Sequence, residues 1–215
     1  MPGPTAPGPA APEILPLSEQ PAWNAIGRVN IAGYKSRRMC SGTLIAPDLV
    51  LTAAHCVLGP TGGPAPPADI VFVAGWRAGE AAADARGAAL DIAPGFLGGA
   101  AGGTLPVADD LALLRLATPL RAIAPIPVAP LPPGTPLTIL GYRHDRPHIA
   151  TRHSGCTVTR TSPRAFATDC PVTFGTSGAP VLAHSPDGWR TVGVVSAGNR
   201  AQSLAARPDA WLGPD

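Results

Sequence analysis

The chain has 215 residues and a formal net charge of +2 at neutral pH. This length can hold one large domain or two small ones, and it is sufficient to bury a sizeable core. So weak a net charge gives no reason to expect nucleic acid or an anionic membrane as a partner. With 25 Gly and 28 Pro, long helices and long central strands are disfavoured. We therefore expect many loops, short elements and an all-β architecture.

The predicted elements follow a Pro-, Gly- and Ala-rich segment at residues 1–22, which we expect to be a disordered leader or pro-segment. Short apolar runs separated by turn residues then predict a first set of strands at 25–31, 41–45, 49–52, 69–74 and 111–116. A proline-dense connector at 118–136 precedes the second set. Its predicted strands are 137–141, 155–159, 164–168, 179–183 and 191–196, followed by a short helix at 202–206.

Two strand-rich groups joined by an extended connector are consistent with two small β-barrels packed together. We therefore divide the chain into the segment 1–22, an N-terminal barrel at 23–120 and a C-terminal barrel with a short tail at 121–215.

Four cysteines indicate disulfide bonds and an oxidising compartment. They allow three connectivities, and proximity in the sequence favours Cys40–Cys56 and Cys156–Cys170. A zinc site is less favoured, because no close Cys-x-x-Cys pair is present. The N-terminal residues lack the basic and apolar regions of a secretory signal, and no apolar run is long enough to span a bilayer. We expect a secreted or periplasmic protein whose signal is absent from this chain.

Three separate motifs contain the residue types required for acyl transfer. His55 ends the run Leu51-Thr52-Ala53-Ala54-His55 before a cysteine, Asp110 precedes a run of apolar residues, and Ser177 lies between glycines at 175 and 178. A serine hydroxyl is a poor nucleophile at neutral pH and needs a base within hydrogen-bond reach. Histidine can be that base, and a carboxylate can hold its tautomer. Each motif alone also has an ordinary structural explanation, but their combination predicts nucleophilic catalysis.

These motifs, together with the run Cys40-Ser41-Gly42-Thr43-Leu44, resemble the trypsin-like serine proteases of the chymotrypsin fold over roughly residues 26–198. The bacterial members, akin to the glutamyl endopeptidases, resemble it most in the residues before the serine. The resemblance implies two packed six-stranded antiparallel β-barrels with the active site in the cleft between them. It also implies a serine endopeptidase acting on proteins or peptides through an acyl-enzyme, without metal or cofactor. We expect a monomer that binds neither nucleic acid nor membrane.

The resemblance assigns a role to each residue of the site. Ser177 is the nucleophile, His55 the general base, and Asp110 the acid that orients the histidine. Asp109 is adjacent, but the family pattern has the acid directly before an apolar-Ala-Leu-Leu sequence, which selects Asp110. The backbone N–H groups of Gly175 and Ser177 form the expected oxyanion hole.

Departures from the family pattern bear on activation and specificity. Thr176 replaces the aspartate that, in animal relatives, pairs with the new N-terminal amine after activation, so we expect no such ion pair here. Pro171 replaces the acid of the trypsin pocket, and Val195 replaces the histidine of glutamate-cleaving relatives. Cleavage after Arg, Lys or Glu is therefore disfavoured. The residues expected to bind substrate in an apolar pocket and along an edge strand are Pro171, Val172, Val195, Ser196, Ala197 and Gly198.

We also expect Ser196 to hydrogen-bond Asp110. The remaining histidines, at 144, 148, 153 and 184, are interpreted as solvated. Two other functions compete with the enzyme. One is a catalytically silent binding module on the same scaffold. The other is a proline- and alanine-rich surface protein, which does not explain the three motifs.

Overall fold

The computed structural model describes residues 9–31, 39–97 and 105–213. Most of the regular structure is antiparallel β-sheet. In chain order the strands are β1 (Glu13–Ile14), β2 (Ile26–Ile31), β3 (Met39–Ala46), β4 (Leu49–Thr52), β5 (Ile70–Ala74), β6 (Ala83–Ile92), β7 (Ala112–Leu116), β8 (Leu137–Arg143), β9 (Arg146–Cys156), β10 (Val158–Thr161), β11 (Ala165–Thr168), β12 (Pro180–Ser185), β13 (Gly188–Gly198) and β14 (Ser203–Ala206). Short 3-10 helices lie at Leu17–Trp23, Ala54–Val57, Pro67–Asp69 and Val107–Asp109, and a short α-helix, α1, at Asp209–Leu212.

The first six-stranded unit is a closed barrel in the order β2, β3, β4, β7, β6, β5. Its interior is filled by large buried side chains that include Leu44, Phe72 and Leu114. Gly27 leaves room for the Phe72 ring, since a Cβ at Gly27 would lie 2.6 Å from a ring carbon. Alternation of inward and outward residues along each strand produces this core.

The second unit is an eight-stranded sheet in the order β1, β9, β8, β12, β13, β14, β11, β10. Strand β9 is second in this order and β10 is last, yet only Thr157 separates them in the sequence. The two ends of the sheet must therefore approach each other, and the sheet curls. The Cys156–Cys170 disulfide and a hydrogen bond of 2.7 Å from the Thr157 N–H to Asp169 Oδ1 hold this corner. The all-β class predicted from the sequence is confirmed.

Residues 9–22 differ from the expected disorder. Glu13 and Ile14 pair with Arg152 and Thr151 of β9, and Leu15 is fully buried. The Arg152 guanidinium also lies 2.6 Å from Glu13 Oε1. Apolar burial and ion pairing together offset the conformational entropy lost when this segment becomes ordered. The composition of the segment gave no sign of these contacts with β9. Residues 1–8 lie outside the described part of the chain, and a role as leader or pro-segment stays a prediction.

The helix predicted at 202–206 is wrong, because Ser203–Ala206 form β14 between β11 and β13. Strand pairing on both sides overrides the helical preference of alanine. The sequence also did not predict β6 or most of β9. Strands β2–β7 lie within 23–120 and β8–β14 within 121–215, but the division into two domains stays a prediction. Among the described residues, no helix is long and apolar enough to cross a membrane.

Candidate active site

A buried carboxylate holds the candidate catalytic histidine. His55 lies on the 3-10 helix that follows β4, and Asp110 lies just before β7, so neighbouring strands of the first barrel carry both. His55 Nδ1 is 2.7 Å from Asp110 Oδ2, and the His55 backbone N–H donates to Oδ1 at 2.9 Å. The Ser196 hydroxyl of β13 donates to Oδ2 at 2.5 Å. Asp110 has no solvent exposure, so its oxygens need hydrogen-bond partners within the protein, and these three donors supply them. The contact with Nδ1 also fixes the orientation of the imidazole.

The neighbouring carboxylate has a different partner. Asp109 Oδ1 is 2.6 Å from Nη1 of Arg164, an exposed arginine just before β11. The two adjacent acids therefore serve different contacts, and it is Asp110 that contacts His55. The sequence pattern had selected the same carboxylate.

Two glycines shape the loop that carries Ser177. Gly175 has φ +91° and Gly178 has φ +77°, a region that favours glycine. A Cβ at Gly178 would lie 2.2 Å from the Ser41 carbonyl oxygen and 2.3 Å from Thr52 Oγ1. The glycine therefore allows the serine loop to pack directly on β3 and β4 of the first barrel.

Ser41 anchors the same loop and was not assigned a role in the sequence analysis. Its N–H donates to the Ser177 carbonyl at 2.8 Å, and its hydroxyl donates to the Gly175 carbonyl at 3.1 Å. The sequence analysis did single out the Cys40-Ser41-Gly42 motif. A serine within a predicted strand, however, does not show which distant segment its hydroxyl will contact.

The loop leaves two backbone donors free. The N–H groups of Thr176 and Gly178 donate to the carbonyls of Thr173 and Val195. By contrast, the N–H groups of Gly175 and Ser177 make no hydrogen bond with any described residue. Two unpaired donors beside a serine are the groups that an oxyanion hole requires.

Both predicted disulfides, Cys40–Cys56 and Cys156–Cys170, are present. The first ties the end of β3 nearest the site to the helix that carries His55. Its sulfur atoms lie near the imidazole, but they are bonded to each other and offer no thiolate to a metal.

His55 and Ser177 together line two adjoining clefts. The disulfide cleft, of about 450 Å³, is lined by both residues and by apolar neighbours that include Met39, Cys40 and Leu58. The β13 cleft, of about 720 Å³, is lined by His55, Val172, Thr173, Phe174, Ser177, Val195, Ser196, Ala197, Gly198, Asn199 and Arg200. The His55 side chain retains 29% exposure, so the site is accessible to solvent.

Most of the predicted substrate-binding residues lie along the β13 cleft. Pro171 does not, although Val172 beside it does. Pro171 instead lines a small separate cavity with His153 and Thr176, behind the serine loop. The sequence analysis missed four lining residues, Thr173, Phe174, Asn199 and Arg200. Among these, Phe174 is 86% exposed and lines both clefts.

The interpretation of His153 as solvated is wrong. This residue of β9 is 5% exposed, and its Nδ1 has no hydrogen-bond partner in the described part of the chain. Burial lowers the pKa of the His153 imidazole, and Arg143 acts in the same direction. The backbones of Pro171 and Ala10 and the Asp169 carboxylate oppose this shift. The other three histidines, at 144, 148 and 184, are exposed as expected.

His153 should make stability depend on pH on the acidic side. An imidazole in an unfolded chain titrates at about pH 6.5, so at lower pH the folded protein binds fewer protons than the unfolded chain. The free energy of unfolding should therefore fall as the pH drops below that value. Urea unfolding at pH 5 and pH 7.5 should show a smaller difference in His153→Gln than in the wild type. The exposed-histidine variant His184→Gln is the matched control, and an equal pH effect in all three proteins would contradict this role of His153.

A family model places the chain among known proteins. The model of the trypsin-like peptidase domain matches residues 40–194, which include all three candidate catalytic residues. The chain belongs to the trypsin-like peptidase family. The predicted family and the predicted enzyme class, a trypsin-like serine hydrolase, are thereby confirmed.

Solved protease structures have the same fold as this peptidase. A Glu endopeptidase in complex with MPD superposes with a TM-score of 0.75 and 21% identity, over 91% of this chain and 90% of that one. A thermostable serine protease from an extremophilic microorganism gives a TM-score of 0.70 and 19% identity, over 88% and 96% of the two chains. At these identities the comparison confirms the chymotrypsin-type fold alone. No curated protein sequence matches the peptidase.

Proposed function

We propose that this peptidase is a serine endopeptidase that cleaves peptide bonds through an acyl-enzyme on Ser177. The observation that carries the proposal is the 2.7 Å contact between His55 Nδ1 and the buried Asp110 carboxylate. This contact leaves Nε2 as the ring nitrogen available to the clefts that Ser177 also lines. The free N–H groups of Gly175 and Ser177 add two hydrogen-bond donors for a developing oxyanion.

In the first half of the reaction, Ser177 Oγ attacks the carbonyl carbon of the scissile bond while its proton passes to His55 Nε2. The Asp110 carboxylate accepts the Nδ1–H and stabilises the imidazolium that forms. The carbonyl oxygen becomes an oxyanion that the N–H groups of Gly175 and Ser177 hold. The imidazolium then protonates the departing amine, which leaves an ester on Ser177. In the second half, water gives a proton to His55 and attacks this ester. The bond from the carbonyl carbon to Ser177 Oγ then breaks as the imidazolium returns the proton to Oγ, which releases the acid product and restores the serine.

The β13 cleft offers an open strand edge to a peptide. Residues 196–198 extend past the end of β12 and pair with β14 on their other side. An extended substrate can therefore add to this edge through backbone hydrogen bonds. Val172 and Val195 favour an apolar side chain before the scissile bond, and cleavage after Arg, Lys or Glu remains disfavoured. The two disulfides favour action in an oxidising compartment, outside the cell or in the periplasm.

Covalent labelling tests the proposal. A fluorophosphonate reacts with serines that a neighbouring base activates, so one adduct on Ser177 is expected, located by peptide mass spectrometry. Prior unfolding in urea should abolish the labelling, because it separates His55 from the serine. Because Thr176 replaces the aspartate of animal relatives, a catalytically silent binding module on the same scaffold is the alternative to the enzyme. Absence of labelling in the folded protein would favour that module over the enzyme.

A further inference from the structure

We infer that Arg200 selects substrates with an acidic side chain on the N-terminal side of the scissile bond. The inference rests on the proposed function, since it concerns the same cleft. It goes further by assigning a charge preference to a residue outside the catalytic group and outside the predicted pocket.

The permanent charge among the lining residues of the β13 cleft is positive. Among its described lining residues, Arg200 is the one permanently charged side chain, and no carboxylate is present. The remaining lining residues are apolar or neutral, apart from His55. An acidic substrate group would therefore meet an attractive partner in this cleft, and a basic group would meet repulsion.

The guanidinium of Arg200 is available for a substrate. Arg200 is exposed and makes no hydrogen bond or ion pair within the described residues. By contrast, Arg143, Arg152, Arg164 and Arg207 are each paired with a carboxylate. A substrate carboxylate would thus not have to displace an existing partner, as it would at any of those four arginines.

The backbone that carries Arg200 is held in place. The Asn199 side-chain oxygen accepts from the N–H groups of Ala201 at 2.8 Å and Gln202 at 3.1 Å. The Asn199 carbonyl accepts from the Val172 N–H at 3.0 Å, which ties this turn to the other wall of the cleft. Because these hydrogen bonds brace the turn between β13 and β14, the main cost of ordering on binding should fall on the arginine side chain.

The position of Arg200 sets where the acidic side chain should lie. A peptide added to residues 196–198 continues toward the turn as it runs away from Ser177. Arg200 is four positions beyond Ser196. At about 3.3 Å per residue, and allowing for the reach of two long side chains, the acidic residue should lie roughly two to five residues before the scissile bond.

Two peptides that are identical except for Glu or Gln at the positions two to five residues before the scissile bond test the effect of charge, because the two side chains have nearly the same shape. We expect the wild type to prefer the Glu peptide about fivefold in kcat/KM, in the range of an exposed ion pair, with a smaller preference at high salt. Arg200→Glu should reverse the preference. Arg121→Glu makes the same charge change at an exposed arginine that lines neither cleft, and it should retain the wild-type ratio.

Binding to Ser177→Ala separates this inference from the proposed function, because calorimetry with the same two peptides needs no turnover. Tighter binding of the Glu peptide, lost in Ser177→Ala/Arg200→Glu and kept in Ser177→Ala/Arg121→Glu, would support the role of Arg200 even if the wild type hydrolysed neither peptide. Equal binding of the two peptides, or a preference that survives Arg200→Glu, would overturn it even if hydrolysis were rapid.

Discussion

Ser177→Ala should reduce peptide hydrolysis at least about ten-thousandfold while the protein remains folded. The substitution removes the attacking oxygen but retains the backbone N–H at position 177. It also retains the carbonyl that accepts from Ser41 at 2.8 Å, so the loop keeps its anchor on the first barrel. Residual hydrolysis would come from the oxyanion donors and from substrate positioning. Turnover of a proteome-derived peptide library, with circular dichroism and urea unfolding as measures of folding, checks this expectation.

Ser154→Ala is the matched control for this variant. Ser154 is a half-buried serine of β9 whose hydroxyl makes no hydrogen bond with the described residues. This control should hydrolyse the library at the wild-type rate. Wild-type turnover in folded Ser177→Ala would contradict the assignment of the nucleophile.

Asp110→Asn should lower kcat by about ten-thousandfold with little change in fold. The side chain keeps its shape, but one acceptor oxygen becomes an NH₂ group. In the wild type, three donors, from the His55 ring, the His55 backbone and Ser196, converge on the two carboxylate oxygens, and the amide leaves only one of these acceptors. An amide at Oδ2 would face the ring and force Nδ1 to accept, so the proton would move to Nε2. The imidazole could then no longer take the proton of Ser177.

Asp109→Asn provides a control one residue away. It makes the same change from acid to amide, but its contact is with the exposed Arg164. We expect activity close to the wild type, because Arg164 is more than half exposed and an ion pair with so exposed a partner contributes about 1 kcal/mol or less. Initial rates at saturating substrate compare the two variants, and equal losses in both would refute the selection of Asp110.

The strands of the first barrel were largely predictable, since runs such as Leu49–Thr52 and Ile70–Ala74 are rich in β-branched and leucine residues between turns. The alanine-rich β6 was not predicted. Residues 83–87 alternate Ala and Gly facing inward with Asp and Arg facing outward, and two exposed alanines interrupt the alternation before Leu90, so the strand carries little hydrophobic contrast. The same weakness made Ser203–Ala206 look helical, although β11 and β13 pair with it on both sides.

For the site, local sequence was sufficient to select His55, Asp110 and Ser177, and their roles in catalysis remain our proposal. It was also sufficient for the two disulfides, because each joins cysteines close in the chain. These features depend on short motifs in which the residue type carries the chemistry.

Contacts between distant segments could not be derived in the same way. Ser41 anchors a loop 134 residues away, Pro171 lies outside the cleft expected for it, and His153 is buried where solvent was expected. Arg200 reaches the cleft through a turn whose conformation depends on Asn199 and Val172. In each case the outcome depends on which strands become neighbours when the two sheets fold. A residue's burial and its hydrogen-bond partners are properties of that packing, and no motif around the residue encodes them.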